Sequence, residues 1–286
     1  MKKKLFFLFL FVLSIPCFSN DFDEYIGRIY KGFCEYSYDS IFFINESSVY
    51  YDYPEEWYNE DEKYLESKRY ECKIEGKNGN YKVFLFDDEK KEEKKLYMLI
   101  SRYYIVLYNE TSPEPIFIGN TLYRSDRFRY VNVVTATSCL VEKSTKYEAN
   151  NLSNLRLDSP WSEGINGYGI DEKITCKTTT PVLVFFSGFF SIKNQSLYEN
   201  NSRPKVIEIY SEVTKLSKLY YLNDTPAPQI LNIIDILQCD YREDSENTIT
   251  ITIKDVYKGK KYADTCINSI FEGCIFTGYK DFITFE

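Results

Sequence analysis

Polar and apolar side chains alternate most cleanly in Asn247-Thr248-Ile249-Thr250-Ile251-Thr252-Ile253, where the isoleucines share one face of an extended chain and the threonines the other. Shorter runs of the same kind fill much of the chain. Ile41-Phe42-Phe43-Ile44 and Ser48-Val49-Tyr50-Tyr51 read as brief strands, and the acidic stretch from Tyr53 to Lys68, with Pro54, reads as a loop or short helix. Arg69 to Ile74 and Tyr81 to Phe86 flank Lys77-Asn78-Gly79-Asn80. Asn-Gly supplies the positive φ angles of a type I′ turn, so this pair predicts a hairpin. The charged stretch from Asp87 to Lys95 then turns the chain into Leu96 to Ile100, and Tyr103 to Tyr108 returns before Pro113 and Pro115 interrupt the pairing. Residues 20–130 therefore read as an antiparallel meander, which hides its edges by closing into a small barrel or sandwich.

The one long apolar run is at the start. Lys2, Lys3 and Lys4 precede Leu5 to Ile15, and Pro16-Cys17-Phe18-Ser19 places small residues where a signal peptidase reads. Leu5 to Ile15 falls short of the roughly 20 residues that cross a bilayer. Residues 1–19 thus predict a cleaved signal peptide, a secreted, periplasmic or cell-surface protein, and no membrane span elsewhere.

Composition narrows the chemistry. The 286 residues include no histidine, 35 basic and 43 acidic side chains and eight cysteines. Without imidazole there is no Ser-His-Asp or Cys-His site, and no HExxH zinc site. The net charge of −8 argues against nucleic acid, whose phosphates need clustered cations. No CxxC spacing is present, so neither a metal nor any cofactor is expected. Export would place the cysteines where disulfides persist, although buried reduced thiols remain the alternative for several of them.

From Val131 onward the strands continue, but the turns become long and rich in Asn and Gly. Asn151 to Ile170, containing Asp158-Ser159-Pro160-Trp161-Ser162-Glu163-Gly164, resembles the loop-and-tryptophan signature of discoidin-like, F5/8 type C domains. It is most similar to the subgroup named for NAD glycohydrolase translocation. Further landmarks follow in the family's order: Ser187-Gly188-Phe189-Phe190, Asn200 to Lys205, Asp224-Thr225-Pro226 with Gln229, Asp255 to Gly259, and Tyr262 to Ile267. The resemblance covers residues 131–286 and implies a galactose-binding-like jelly-roll sandwich that binds glycans or other surface ligands through loops at one end. It also implies neighbouring first and last strands, which would let Cys139 bridge to Cys274 or, less favourably, to Cys266. The expected fold is thus all-β, a meander or barrel followed by a jelly roll.

Within those loops the residues themselves suggest where a ligand would sit. Trp161, after a proline and before Gly164, Gly167 and Gly169, reads as a core plug or a sugar platform, and Tyr168, between two glycines, as the better platform. Asn194, Gln195, Tyr198, Asn200, Asn201 and Arg203 offer hydrogen-bond partners for hydroxyls on what reads as a loop. Asp158 and Glu163 bracket Trp161 as further ligand contacts, or as the acid pair of a hydrolase acting on glycans or NAD. The expectation is a non-catalytic binding protein for a glycan or cell-surface ligand. The alternatives are that hydrolase and a structural envelope protein that contacts another protein.

Overall fold

A computed structural model describes residues 22, 25, 29–34, 37–44, 48–51, 68–87, 91–120, 129–237 and 246–273. The expected signal peptide, most of the 53–68 stretch, Cys239 and Cys274 lie outside the described residues. The protein is all-β, with one short α-helix among these residues.

Eight strands form the first unit: β1 (Ile29–Cys34), β2 (Ser37–Ile44), β3 (Ser48–Tyr51), β4 (Lys68–Lys77), β5 (Asn80–Asp87), β6 (Glu92–Ile100), β7 (Tyr104–Asn109) and β8 (Pro115–Asn120). Each pairs antiparallel with the next, and Lys31↔Asn120, Gly32↔Gly119 and Phe33↔Ile118 join β8 to β1, so the meander closes as a barrel. Asn78 (φ 52°) and Gly79 (φ 72°) make the expected turn between β4 and β5. Two expectations need correction. Glu92 to Lys95 belong to β6 rather than to a turn, because they pair with Asp87, Phe86, Leu85 and Phe84 while Lys91, at φ 54°, turns the chain. Pro115 does not end the pairing. It opens β8 beside a register shift at Leu107/Tyr108, where a strand tolerates a missing N–H.

Alternation along β5, β6 and β7 decides which side chains fill the barrel. Val83, Leu85, Leu96, Met98, Ile100, Ile105 and Leu107 point inward. Phe22 caps Tyr81 edge-on at 4.9 Å. The opposite faces of β6 and β7 carry Tyr97, Leu99, Tyr104, Val106 and Tyr108, which are buried too. Something must therefore cover the barrel's outside.

That cover is the second unit. Its strands are β9 (Arg129–Tyr130), β10 (Asn132–Ala136), β11 (Leu140–Glu142), β12 (Thr145–Tyr147), β13 (Trp161–Ser162), β14 (Lys173–Thr178), β15 (Val182–Ser187), β16 (Arg203–Ser211), β17 (Ser217–Tyr221), β18 (Gln229–Asn232), β19 (Asn247–Tyr257) and β20 (Cys266–Glu272), with helix α1 (Ser196–Asn200) between β15 and β16. One sheet runs β10-β14-β19-β16-β17 and the other β13-β20-β15-β18, with β9 also on β20. Their facing sides enclose Trp161, Ile174, Phe185, Ile207, Ile251 and Ile267, a jelly-roll sandwich core. The isoleucines of the alternating run on β19 point into it, as the pattern predicts. The far side of β15 and β20 presents Val184, Phe186 and Phe271 to the barrel, and the two units share one apolar cluster there. Thr225 Oγ1 donates to Asn78 O at 2.5 Å across the same junction. Gly79 is required at this point, since a Cβ there would sit 2.4 Å from Ala227 Cβ and 2.5 Å from the Ile100 carbonyl.

Cys72, Cys139, Cys176 and Cys266 are free thiols. The less favoured bridge from Cys139 to Cys266 is therefore not formed, and the Cys274 half of the expected Cys139–Cys274 bridge is outside the described residues.

Candidate ligand-binding site

The residues singled out from the sequence fall into three places. Asp158 is exposed and pairs with Arg156, which also reaches Glu114 near the barrel. Glu163, by contrast, is fully buried. Its carboxylate accepts the N–H of Ile165 at 2.8 Å and of Thr265 at 3.3 Å, and a Cβ on Gly169 would lie 2.5 Å from its Cγ. Burial raises its pKa, opposed by those two N–H groups. Its oxygens hold the loop together. Tyr168 is half-buried against the sandwich core, its carbonyl accepts from Thr265 Oγ1, and the Lys258 ammonium lies 4.9 Å from its ring. Trp161 is the core plug, fully buried with Nε1 donating to Ser138 O at 3.0 Å.

The stretch from Asn194 to Arg203 is not a loop throughout: α1 occupies its middle, and Arg203 opens β16 as a buried side chain. Exposed Asn194 accepts from Ser196 Oγ at 2.6 Å. Arg203 and Tyr198 form a node with Asp224. Nε and Nη2 of Arg203 donate to the two Asp224 oxygens at 2.8 and 2.7 Å, Nη1 donates to the carbonyls of Tyr198 and Asn201, and Tyr198 OH donates to Asp224. Burial lowers the Arg203 pKa, but the Asp224 carboxylate outweighs it and the guanidinium stays charged. This node walls a cleft of about 460 Å3 at the barrel junction, next to a second of about 640 Å3. Every N–H of the node named here is already spent inside the protein. That is the signature of a fastening rather than of a site awaiting a ligand.

A smaller pocket, about 240 Å3, opens at the loop end of the sandwich. Its wall on one side is the hairpin β11–β12, which contributes Leu140, Glu142 and Tyr147. On β13 the alternation that sends Trp161 into the core turns Ser162 the other way, opposite Cys266 on β20. Gly188, at φ 83°, redirects the chain after β15 so that Phe190 is buried at the barrel junction while half-buried Phe189 reaches this pocket. Asn201 follows α1, and Tyr262 and Asp264 come from the loop before β20. Ser202 clamps that loop: its N–H donates to Asp264 O, its carbonyl accepts from Cys266 N–H, and its Oγ bonds Gly259 N–H and Tyr262 O.

Three rings therefore share a small space with an amide, a hydroxyl, a thiol and two carboxylates. Tyr147 and Phe189 meet edge to face at 6.0 Å. The Cys266 thiol is pushed up to about 12, chiefly by burial and further by the charges of Asp264, Glu163 and Glu142. It is thus a neutral surface rather than a nucleophile. Of the ligand contacts picked from sequence only Asn201 belongs here, beside Cys266, which was picked as a bridge candidate. The others were missed because they are dispersed over five segments. The usable signal was that three of the family-like landmarks, around Phe189, Asn201 and Asp264, would have to meet.

A family model described as the NAD glycohydrolase translocation F5/8 type C domain matches residues 122–272. No curated protein matches the chain. Among solved structures, one of allantoicase is 11% identical with a TM-score of 0.31, covering 86% of this chain and 72% of its own. Another, allantoicase from Saccharomyces cerevisiae, is 13% identical with the same score, covering 86% and 71%.

Proposed function

Since the chain belongs to the family of NAD glycohydrolase translocation F5/8 type C domains, we propose that it is an exported, non-catalytic binding protein that takes one sugar unit of a surface glycan into the loop-end pocket. The observation that carries this is the convergence of Tyr147, Phe189 and Tyr262 with Asn201 and Ser162. Ring faces suit the C–H side of a pyranose, while an amide and a hydroxyl satisfy its hydroxyls. The volume lies below the roughly 300–1,000 Å3 of sites for larger ligands, which favours a single ring. NAD is disfavoured, because Glu142 and Asp264 would repel a pyrophosphate. Hydrolysis by the acids beside Trp161 is also disfavoured, since the Glu163 oxygens already serve backbone N–H groups. Export rests on the Lys2–Lys4 and Leu5–Ile15 pattern, and recovery of a native N-terminus that retains residues 1–19 would overturn it.

The test is a glycan array probed with the full mature chain beside Phe189→Ala and Tyr262→Ala. The reading expects retention of a defined glycan set that both variants lose by roughly tenfold or more, the scale of buried ring contacts. Binding that both variants keep, an empty array, or turnover of the glycan would each overturn it. A protein partner is the second reading, favoured by β17, an edge strand whose Leu219 and Tyr221 are exposed. It predicts capture that Tyr221→Ser abolishes and Tyr262→Ala does not.

A further inference from the structure

The geometry of the loop-end pocket points to an ammonium group as the feature it selects, and we infer that its preferred sugar is a hexosamine with a free amine rather than the N-acetylated or neutral ring. This rests on the glycan reading and names the ligand class for the same pocket.

Two carboxylates line the pocket, those of exposed Glu142 and half-buried Asp264. Among the described residues neither has an ion-pair partner. Other acids of the sandwich are engaged: Glu148 pairs with Lys146 at 2.8 Å and Glu199 with Lys260, and Glu172 accepts hydrogen bonds from the hydroxyls of Thr137 and Ser138. Carboxylates left without a cation in a pocket that also holds aromatic rings attract one, through charge and through the negative ring faces. The protein already shows the second half of this chemistry, since the Lys261 ammonium lies 5.0 Å from the centroid of the Tyr262 ring.

A metal ion fits poorly. No group of three or more acidic or thiol ligands among the described residues is placed to hold one. A calcium ion wants about 6–8 oxygens. An extended lysine side chain would answer the carboxylates but leave the polar lining without hydroxyl partners. Ser162 is 1% exposed, and its only described partner is the Cys266 sulfur at 3.4 Å. Asn201 offers an amide on the same wall, of which Nδ2 donates one hydrogen to Leu197 O. A sugar carrying both an ammonium and ring hydroxyls uses all of these groups together.

Titration calorimetry on the full mature chain, in about 0.15 M salt to screen loose charge effects, separates the possibilities. The probes are β-1,4-linked triglucosamine, tri-N-acetylglucosamine, cellotriose and trilysine. Triglucosamine should bind roughly tenfold or more tighter than the N-acetyl and glucose trimers, the scale of one ammonium–carboxylate contact. Glu142→Gln with Asp264→Asn should bring the three sugars to within about twofold of one another, with an unchanged melting temperature showing the fold intact. Equal binding of all three sugars by the native protein overturns the ammonium inference and leaves the glycan reading standing. Trilysine binding as tightly as triglucosamine keeps the ammonium preference but overturns the glycan reading. No binding of any probe overturns this inference, and the array then judges the glycan reading alone. A preference that survives the double variant overturns the assignment to Glu142 and Asp264.

Discussion

Replacing Arg203 with methionine removes the guanidinium while keeping most of the buried stem. Arg203 is 6% exposed and makes four hydrogen bonds, two to Asp224 and two to the carbonyls of Tyr198 and Asn201, with its centre 4.9 Å from the Tyr198 ring. The two carbonyls would lose their donor in a place water reaches poorly, at about 1 kcal/mol or more each. The carboxylate half of the pair counts for less, because the Asp224 side chain is 40% exposed and rehydrates. The ring contact adds about 0.5–1 kcal/mol. Arg203→Met should therefore destabilise by about 3–4 kcal/mol, or about 5–7 °C in melting temperature for a chain of this size. Asp224→Asn keeps an oxygen for Nε and leaves both carbonyls served, so it should lose about half as much. Urea and thermal unfolding followed by tryptophan fluorescence and near-UV circular dichroism measure both. If Asp224→Asn costs as much as Arg203→Met, charge compensation holds the node and the reasoning from the carbonyls is wrong.

Other expectations are more compact. Burial raises the Glu163 pKa in the folded protein, so its contribution to stability is present below the ordinary glutamate value of about 4.3 and is lost as pH rises through the raised folded value. Glu163→Gln should flatten that fall, and denaturation midpoints with an unaltered pH slope would contradict it. Trp161→Phe should cost about 2–3 kcal/mol, from the lost bond to Ser138 O and the space left by the smaller ring; a loss of stability below about half a kcal/mol would show that the core closes over the gap. The Cys176 and Cys266 thiols, both pushed up to about 12 by burial, should resist iodoacetamide in the native protein at about pH 8 while half-buried Cys139 reacts first. Peptide mapping that finds Cys266 alkylated as fast as Cys139 would mean the pocket floor is open.

Local pattern carried much of the fold. The Asn78-Gly79 turn, the alternation of β19 and the apolar runs of β5 and β7 are each stated within a few residues, because turn chemistry and side-chain period are local. Closure between β1 and β8 joins segments almost ninety residues apart, and nothing within either strand announces its partner. The site was legible in fragments only. Asn201 stood out as a polar residue in a family-like landmark, but Tyr147, Phe189 and Tyr262 look like the aromatic filling of any half-buried strand until the loops that carry them are brought together. Arg203 read as a loop residue because its burial depends on an acid 21 positions away.

The sheet β13-β20-β15-β18 is lined on one side by the sandwich core and on the other by the barrel, and β15 and β20 are buried along their whole length. Its strands behave as a thermodynamic hinge pin between the two halves. If the barrel unfolded alone, Val184, Phe186 and Phe271 would face water, so opening either half carries part of the cost of opening both. By linkage, whatever occupies the loop pocket beyond the far ends of β13 and β20 also lowers the open population of the barrel. Amide hydrogen exchange at Leu99 and Val106, which contribute nothing to the pocket lining, should slow when the pocket fills. The barrel would then serve as a remote gauge of occupancy, readable without a label on the sandwich.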